Sequence, residues 1–445
     1  MLLEFKVKNY KSFKDEMVFS MIPAPKIKDL SYSVLETKKI GSKKYKGLSS
    51  AVIYGPNASG KTNIIGAMEV LKNIINNGNI ENTKNNSSPN KAVNTMELIP
   101  NVKNKKIEPV DFTIKFIEKG ILFEYYLSII LGNFMDENYD RKINKEILYY
   151  NNKMIFERTN TVVFDNIDSI QNHLINTFNE NVSKNYAKEN LDSKSLFLTS
   201  SFANNFSGEL VKIIKNWFED KFNVVFRSNI ASAIFDVPKN EGFYFSDELN
   251  IVAKNFGVSE NDIVLEVKNK GENVGLKSMV INKELNKYTP INILDYESFG
   301  TVRFLNIFPS ILYALKKGAT LVIDEFDSSL HPMAVMSIIS TFHNDEINEN
   351  NAQLIFNTHN PIFLNKNVFR RDEIKFVERN EDTENSELYS LSDFGTSGEN
   401  GVRNTDDYMK NYFISRYGAI KHIDFSDVLI KALKSIKKDE VQDNE

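Results

Sequence analysis

Gly55-Pro56-Asn57-Ala58-Ser59-Gly60-Lys61-Thr62 is the stretch on which the fold turns. It fits G-x-x-x-x-G-K-[ST], and each fixed position has a chemical reason. A polyphosphate carries several negative charges. Backbone N–H groups can surround it only where no side chain intrudes, which calls for Gly55 and Gly60. Pro56, Asn57, Ala58 and Ser59 complete the cradle. Lys61 supplies a mobile cation for the β- and γ-phosphates, and the Thr62 hydroxyl suits Mg²⁺. The chain has only 19 glycines, so this spacing followed by Lys-Thr is not an ordinary turn.

The flanks supply the context such a loop needs. Leu48–Tyr54 ends in an apolar run that reads as a buried strand. After the loop, Ile64, Ile65, Met68, Leu71, Ile74 and Ile75 recur at helical spacing, so a helix points its N-terminus at the phosphates. Strand, glycine loop and helix together predict an α/β nucleotide-binding core.

Farther along, Leu321-Val322-Ile323 is an apolar strand ending in Asp324 and Glu325. Asp324 is expected in the shell of a Mg²⁺ ion and Glu325 is expected to orient and deprotonate an attacking water. The next buried strand, Leu354–Phe356, leads into Asn357-Thr358-His359-Asn360-Pro361. His359 at that strand end can hydrogen-bond a γ-phosphate and its water. With Lys61, Glu325 and His359 form the expected catalytic set. Ser298 stands 26 residues before Asp324 in Glu297-Ser298-Phe299-Gly300-Thr301-Val302-Arg303, just ahead of a helix at Phe304–Leu315. Ser298, Gly300 and Thr301 can form a second anion-binding corner, or Ser298 and Thr301 can simply cap the helix.

These residues together resemble ATP-binding-cassette ATPases of the SMC-like branch. The order matches: phosphate loop, long insertion, signature, acidic strand, switch His. Asn9-Tyr10-Lys11-Ser12-Phe13 looks like the opening segment of SMC-type heads, and Ser298-Phe299-Gly300-Thr301 looks like the cassette signature. The resemblance implies an α/β, ABC-type (SMC-like) P-loop ATPase head that takes ATP and Mg²⁺. It also implies a head-to-tail homodimer or higher homo-oligomer, in which Ser298 and Gly300 grip the γ-phosphate held by the other subunit. A finer similarity is to stand-alone bacterial AAA/ABC-like ATPases of the RloA and OLD-like kind, often found in phage-defence loci. It rests on the signature segment, on Leu330-His331-Pro332 after Asp324-Glu325, and on Thr358-His359-Asn360-Pro361. Glu387-Leu388-Tyr389-Ser390-Leu391 and Arg416-Tyr417-Gly418-Ala419-Ile420 add to it. Such proteins often work with a separately encoded effector, commonly a nuclease. The departures are Phe299 in place of a second small residue, His331 in place of the Asp of transporter-type cassettes, and Gln171 as the one glutamine between phosphate loop and signature.

The expected organisation is an N-terminal lobe over 1–165, a mostly helical insertion over 166–260, a C-terminal lobe over 261–425, and a charged tail over 426–445. The insertion is too short and uneven in period for a long coiled coil. Residues 77–108 read as a polar surface loop. Bulk properties set outer limits. The chain has 445 residues, 41% hydrophobic and 26% charged, with a formal net charge of −4. That balance gives no global drive toward nucleic acid or membrane surfaces. The absence of cysteine excludes disulfides and thiolate chemistry. No apolar run approaches the ~20 residues of a spanning helix, so a cytoplasmic location without membrane attachment is expected. Three functions stay open: an ATP-hydrolysing dimeric switch, an ATP-gated scaffold for an effector, and an SMC-like repair ATPase binding DNA through Lys38–Lys46 or Lys103–Lys106.

Overall fold

The computed structural model describes the chain apart from residues 26, 38, 82–95, 104–105, 133–139, 227–239, 256–260, 269–272, 283–286, 397–400, 404, 422–423, 427 and 431–445. Most of the expected tail, and half of 77–108, lies outside the described residues.

A six-stranded sheet forms the centre. Its order is Phe222–Val225, Thr320–Ile323, Gln353–Asn357, Ser50–Tyr54, Ile374–Arg379, Ser386–Ser390. The first five strands are parallel and the last is antiparallel. Both faces are covered, so the strands read as continuous apolar runs rather than alternating ones. The pleat still sorts their side chains. Ala51, Ile53, Val322 and Ile355 join one core, while Val52, Tyr54, Leu321, Ile323, Leu354 and Phe356 join the other.

The first core holds the helix Lys61–Asn77, whose Ile64, Ile65, Met68, Leu71, Ile74 and Ile75 are fully buried. Above it lies a seven-stranded antiparallel sheet, in order Val162–Phe164, Lys153–Arg158, Arg141–Tyr150, Ile121–Leu131, Val110–Glu118, Leu2–Lys8, Met17–Ser20. Near the N-terminus Leu2–Lys8 and Met17–Ser20 pair as an antiparallel hairpin. Against the second core pack Phe299–Lys317, Pro332–Phe342 and Tyr408–Phe413.

Residues 166–260 divide among three places. Their helical part, from Ile167 to Lys221, packs on the antiparallel sheet, with Trp217 stacked between Phe116 and Phe222 at 3.9 and 5.1 Å. Phe222–Val225 then becomes an edge strand of the central sheet, in register with Thr320–Ile323. Gly242–Phe245 opens a separate antiparallel sheet with Asp262–Lys268, Asn273–Asn282 and Lys287–Asn292. The boundary expected at 260 therefore falls inside a sheet. The continuous helical part ends at Lys221, with one more helix at Asp247–Asn255 among the strands; those strands are placed by pairing, in the case of Phe222–Val225 with a partner distant in sequence. Among the described residues no helix is long and apolar enough to cross a membrane.

Candidate functional site

The C-terminal ends of the parallel strands place the candidate residues. Ser50–Tyr54 runs into the phosphate loop, and helix Lys61–Asn77 starts on Gly60, whose φ is +115°. A Cβ at Gly60 would stand 2.8 Å from the hydroxyls of Ser12 and Ser386, and one at Gly55 would stand 2.3 Å from the Val377 carbonyl. The loop is thus pressed between the Asn9–Phe13 turn and the neighbouring strands, with no room for side chains at either glycine. Ser386 Oγ donates to the Ser59 carbonyl and Asn63 donates to Ser12 Oγ at 2.8 Å.

Lys61 is buried and folds back over the loop, donating to the carbonyls of Gly55 at 2.6 Å and Pro56 at 2.9 Å. Burial lowers its pKa to about 8, against the opposing pull of Asp324 and Glu325. Thr62 Oγ1 donates to Asp324 Oδ1 at 3.1 Å. The hydroxyl and carboxylate expected to share a Mg²⁺ ion are therefore neighbours, although 262 positions separate them. The glycine cradle, the lysine over it and this hard-oxygen pair fit a phosphate chain with a divalent cation.

Asp324 is buried and Glu325 is exposed at the cleft. Glu325 has φ +52°, in the left-handed region, which costs a side-chain-bearing residue roughly 1–2 kcal/mol. Its neighbours hold it there. The Glu325 N–H donates to Asn357 Oδ1 at 2.5 Å, and Arg303 Nη2 donates to the Glu325 carbonyl at 2.5 Å. Asn357 also donates to Asp324 Oδ1 at 2.6 Å. Thr358 Oγ1 donates to Asp327 Oδ2 at 2.7 Å, and burial raises the Asp327 pKa. His359 is exposed beside this group. Partial burial, followed by the nearby Lys61 charge, lowers its pKa, so its ring is neutral at pH 7.

Lys61, Thr62, Asp324, Glu325 and His359 thus come together. Ser298, Gly300 and Thr301 sit elsewhere, at the start of Phe299–Lys317. Ser298 is the N-cap: it accepts from the Thr301 N–H at 3.2 Å, and the two hydroxyls are 2.8 Å apart. The capping alternative describes the contacts within one chain. A Cβ on Gly300 would stand 2.5 Å from the Ser329 carbonyl, so this glycine lets the helix start approach the segment after Glu325. Ser298 and Phe299 are exposed.

Three further residues, Asn357, Arg303 and Asp327, hold places that their sequence motifs do not disclose. All three stand inside or beside the motifs quoted above. Their function depends on which strand end faces which, and that is invisible in one dimension. His331 accepts from Met333 N–H at 3.2 Å and caps the helix that Pro332 opens. The two C-terminal segments meet each other, with Tyr389 donating to the Tyr417 carbonyl at 2.7 Å. Of the lysine-rich stretches, Lys44 and Lys46 pair with Glu36, and Lys103 pairs with Glu384. Lys38, Lys105 and Asn104 lie outside the described residues.

A parallel sheet that delivers a glycine cradle, a lysine, and a threonine–aspartate pair to one edge defines the P-loop class of nucleotide-binding proteins. The chain belongs to the family described as "AAA domain, putative AbiEii toxin, Type IV TA system", whose model matches residues 50–168 and 173–365. Among solved structures, the SMC head domain from Thermotoga maritima is similar over 87% of this chain and 98% of that one, at 13% identity and a TM-score of 0.35. No curated protein matches the sequence.

Proposed function

We propose that this chain binds ATP with Mg²⁺ at Gly55–Thr62 and hydrolyses it, and that two copies close over the nucleotide as a switch. The supporting observation is the Thr62–Asp324 hydrogen bond, which joins the phosphate cradle to the acidic strand end. Lys61 would exchange its two loop carbonyls for phosphate oxygens. Thr62 and Asp324 would hold the ion. When bound, Mg²⁺ would supply positive charge against the phosphate oxygens. Glu325 would take the proton of the attacking water, and neutral His359 would hydrogen-bond that water or the γ-phosphate. The exposed Ser298, with Gly300 and Thr301, would complete the site of a second copy. In this reading 1–165 and 261–425 supply the two lobes of the head, with Phe222–Val225 added to the central sheet.

ATP turnover by the purified protein tests this, with Lys61→Ala and Glu325→Gln as controls. Turnover that survives both changes would remove the assignment.

A cytoplasmic role in anti-phage defence with a separate effector is the biological setting we infer from the resemblance. The family description names a toxin of a toxin–antitoxin system, which is in keeping with a chain that acts with a second component. Co-purification with the product of a neighbouring gene tests it. DNA as the partner predicts binding that weakens steeply with salt, and binding insensitive to salt would remove that alternative.

A further inference from the structure

Glu325 is held by its backbone rather than by its side chain. Its N–H donates to Asn357, at the end of the strand Gln353–Asn357, and its carbonyl accepts from Arg303, on the helix Phe299–Lys317, as well as from the Ser328 N–H of its own turn at 3.1 Å. Both are buried, at 1% and 6% exposure. Between those two bonds the residue carries φ +52°, a conformation that side-chain-bearing residues adopt chiefly where neighbours over-determine it. The Asn357 amide also donates to Asp324 Oδ1 at 2.6 Å. One asparagine therefore fixes the spacing between the Asp324 carboxylate and the Glu325 peptide.

We propose that Arg303 and Asn357 are positioning residues which clamp the Glu325 peptide from both sides and so aim its carboxylate at the attacking water. The clamp sets where the carboxylate leaves the backbone. It makes no contact with phosphate and moves no proton. This rests on the reading of Glu325 as the base. Without Arg303 the carbonyl keeps only the Ser328 N–H of its own turn, at 3.1 Å, and loses its one tie to another element. Without Asn357 the N–H loses its acceptor, and Asp324 loses a donor as well.

The two positions have separable signatures. Arg303→Met keeps length and apolar stem but removes the donor. It is expected to lower kcat by about ten- to a hundredfold, the scale of a misaimed catalytic group, with KM for ATP within about twofold. Arg303→Lys, which keeps a cationic donor, is expected to recover part of that loss. Asn357→Asp keeps an acceptor for the Glu325 N–H but sets a second carboxylate against Asp324. It is expected to shift the Mg²⁺ concentration dependence, which Arg303→Met leaves alone.

The deciding experiment is single-turnover hydrolysis by the full chain in a double-mutant cycle of Arg303→Met with Glu325→Gln, with nucleotide binding measured alongside. A residue that acts through the Glu325 carboxylate costs nothing further once that carboxylate is gone. An equal loss in both backgrounds, a loss confined to KM, or unchanged kcat overturns the clamp. Should Arg303→Met fail to fold by thermal melt, Arg303→Lys and Asn357→Ala, which removes the acceptor of the Glu325 N–H, carry the same cycle. No turnover by the unmodified protein would overturn the hydrolysis reading and the clamp with it. Turnover indifferent to Arg303 and Asn357 would overturn the clamp alone.

Discussion

Glu325 and Lys61 show how differently two charged residues of one site can be placed. Glu325 stands exposed on a backbone bent into the left-handed region, whereas Lys61 lies buried against the loop carbonyls. Removing the Glu325 carboxylate with Glu325→Gln keeps the shape and the backbone bonds. It should cut turnover by roughly 10²–10⁴-fold, the scale of general-base catalysis, while ATP still binds. Single-turnover hydrolysis beside a binding titration checks both halves. For Lys61 the prediction concerns pH. Its pKa is depressed to about 8, so the ammonium is complete only below that value. ATP affinity should therefore fall as pH rises through about 8. Phosphate restores the charged form, so binding above pH 8 should take up a proton. Calorimetry in buffers of different ionisation heat measures that uptake, and a flat pH profile would contradict it.

At the scale of the element, the helix Phe299–Lys317 carries two tasks at its start. Its N-terminus is capped by Ser298, and Arg303, just over one turn along, reaches the Glu325 carbonyl. Loss of an N-cap costs about 1 kcal/mol, so Ser298→Ala should destabilise the protein slightly whatever else Ser298 does. Ser298→Asp separates cap from signature. Aspartate caps as well as serine but brings a negative charge to the place where a second copy's γ-phosphate is proposed to lie. Stability should be kept and turnover lost. Full turnover in Ser298→Asp would leave Ser298 as a cap only. A second element is held mainly by packing. Trp217 is stacked between Phe116 and Phe222, and Trp217→Ala should cost about 3–5 kcal/mol, read from denaturant unfolding, with no change in the phosphate loop's own residues.

For the whole molecule, the phosphate loop and the proposed signature residues Ser298 and Thr301 share no direct hydrogen bond among the described residues. The loop's bonds run to Asp324, Ser12 and Ser386, while Ser298 and Thr301 bond each other. Two copies arranged head to tail would bring the separated halves together. Glu325→Gln with ATP and Mg²⁺ should then run as a dimer in light scattering, and as smaller species without nucleotide. Turnover per chain should also rise with protein concentration. A nucleotide-independent mass would speak against the switch.

The sequence by itself determined the local units. A glycine loop with Lys-Thr admits few conformations, because φ above zero and close backbone approach exclude other residues at Gly60. Short apolar runs announced the strand that enters that loop and those at Leu321–Ile323 and Leu354–Phe356, and helical spacing announced Lys61–Asn77. Those signals come from neighbours in the chain, so they survive without the rest of the protein. The tertiary structure decided what depends on distant pairing. It set Phe222–Val225 into the central sheet beside Thr320–Ile323, where helical periodicity gave no hint of it. It placed the Asn357 amide between Asp324 and Glu325, and it turned an arginine from another element onto the Glu325 carbonyl. Hydrogen bonds of that kind follow from strand order and helix packing, which are set by burial of the whole sheet rather than by any one segment.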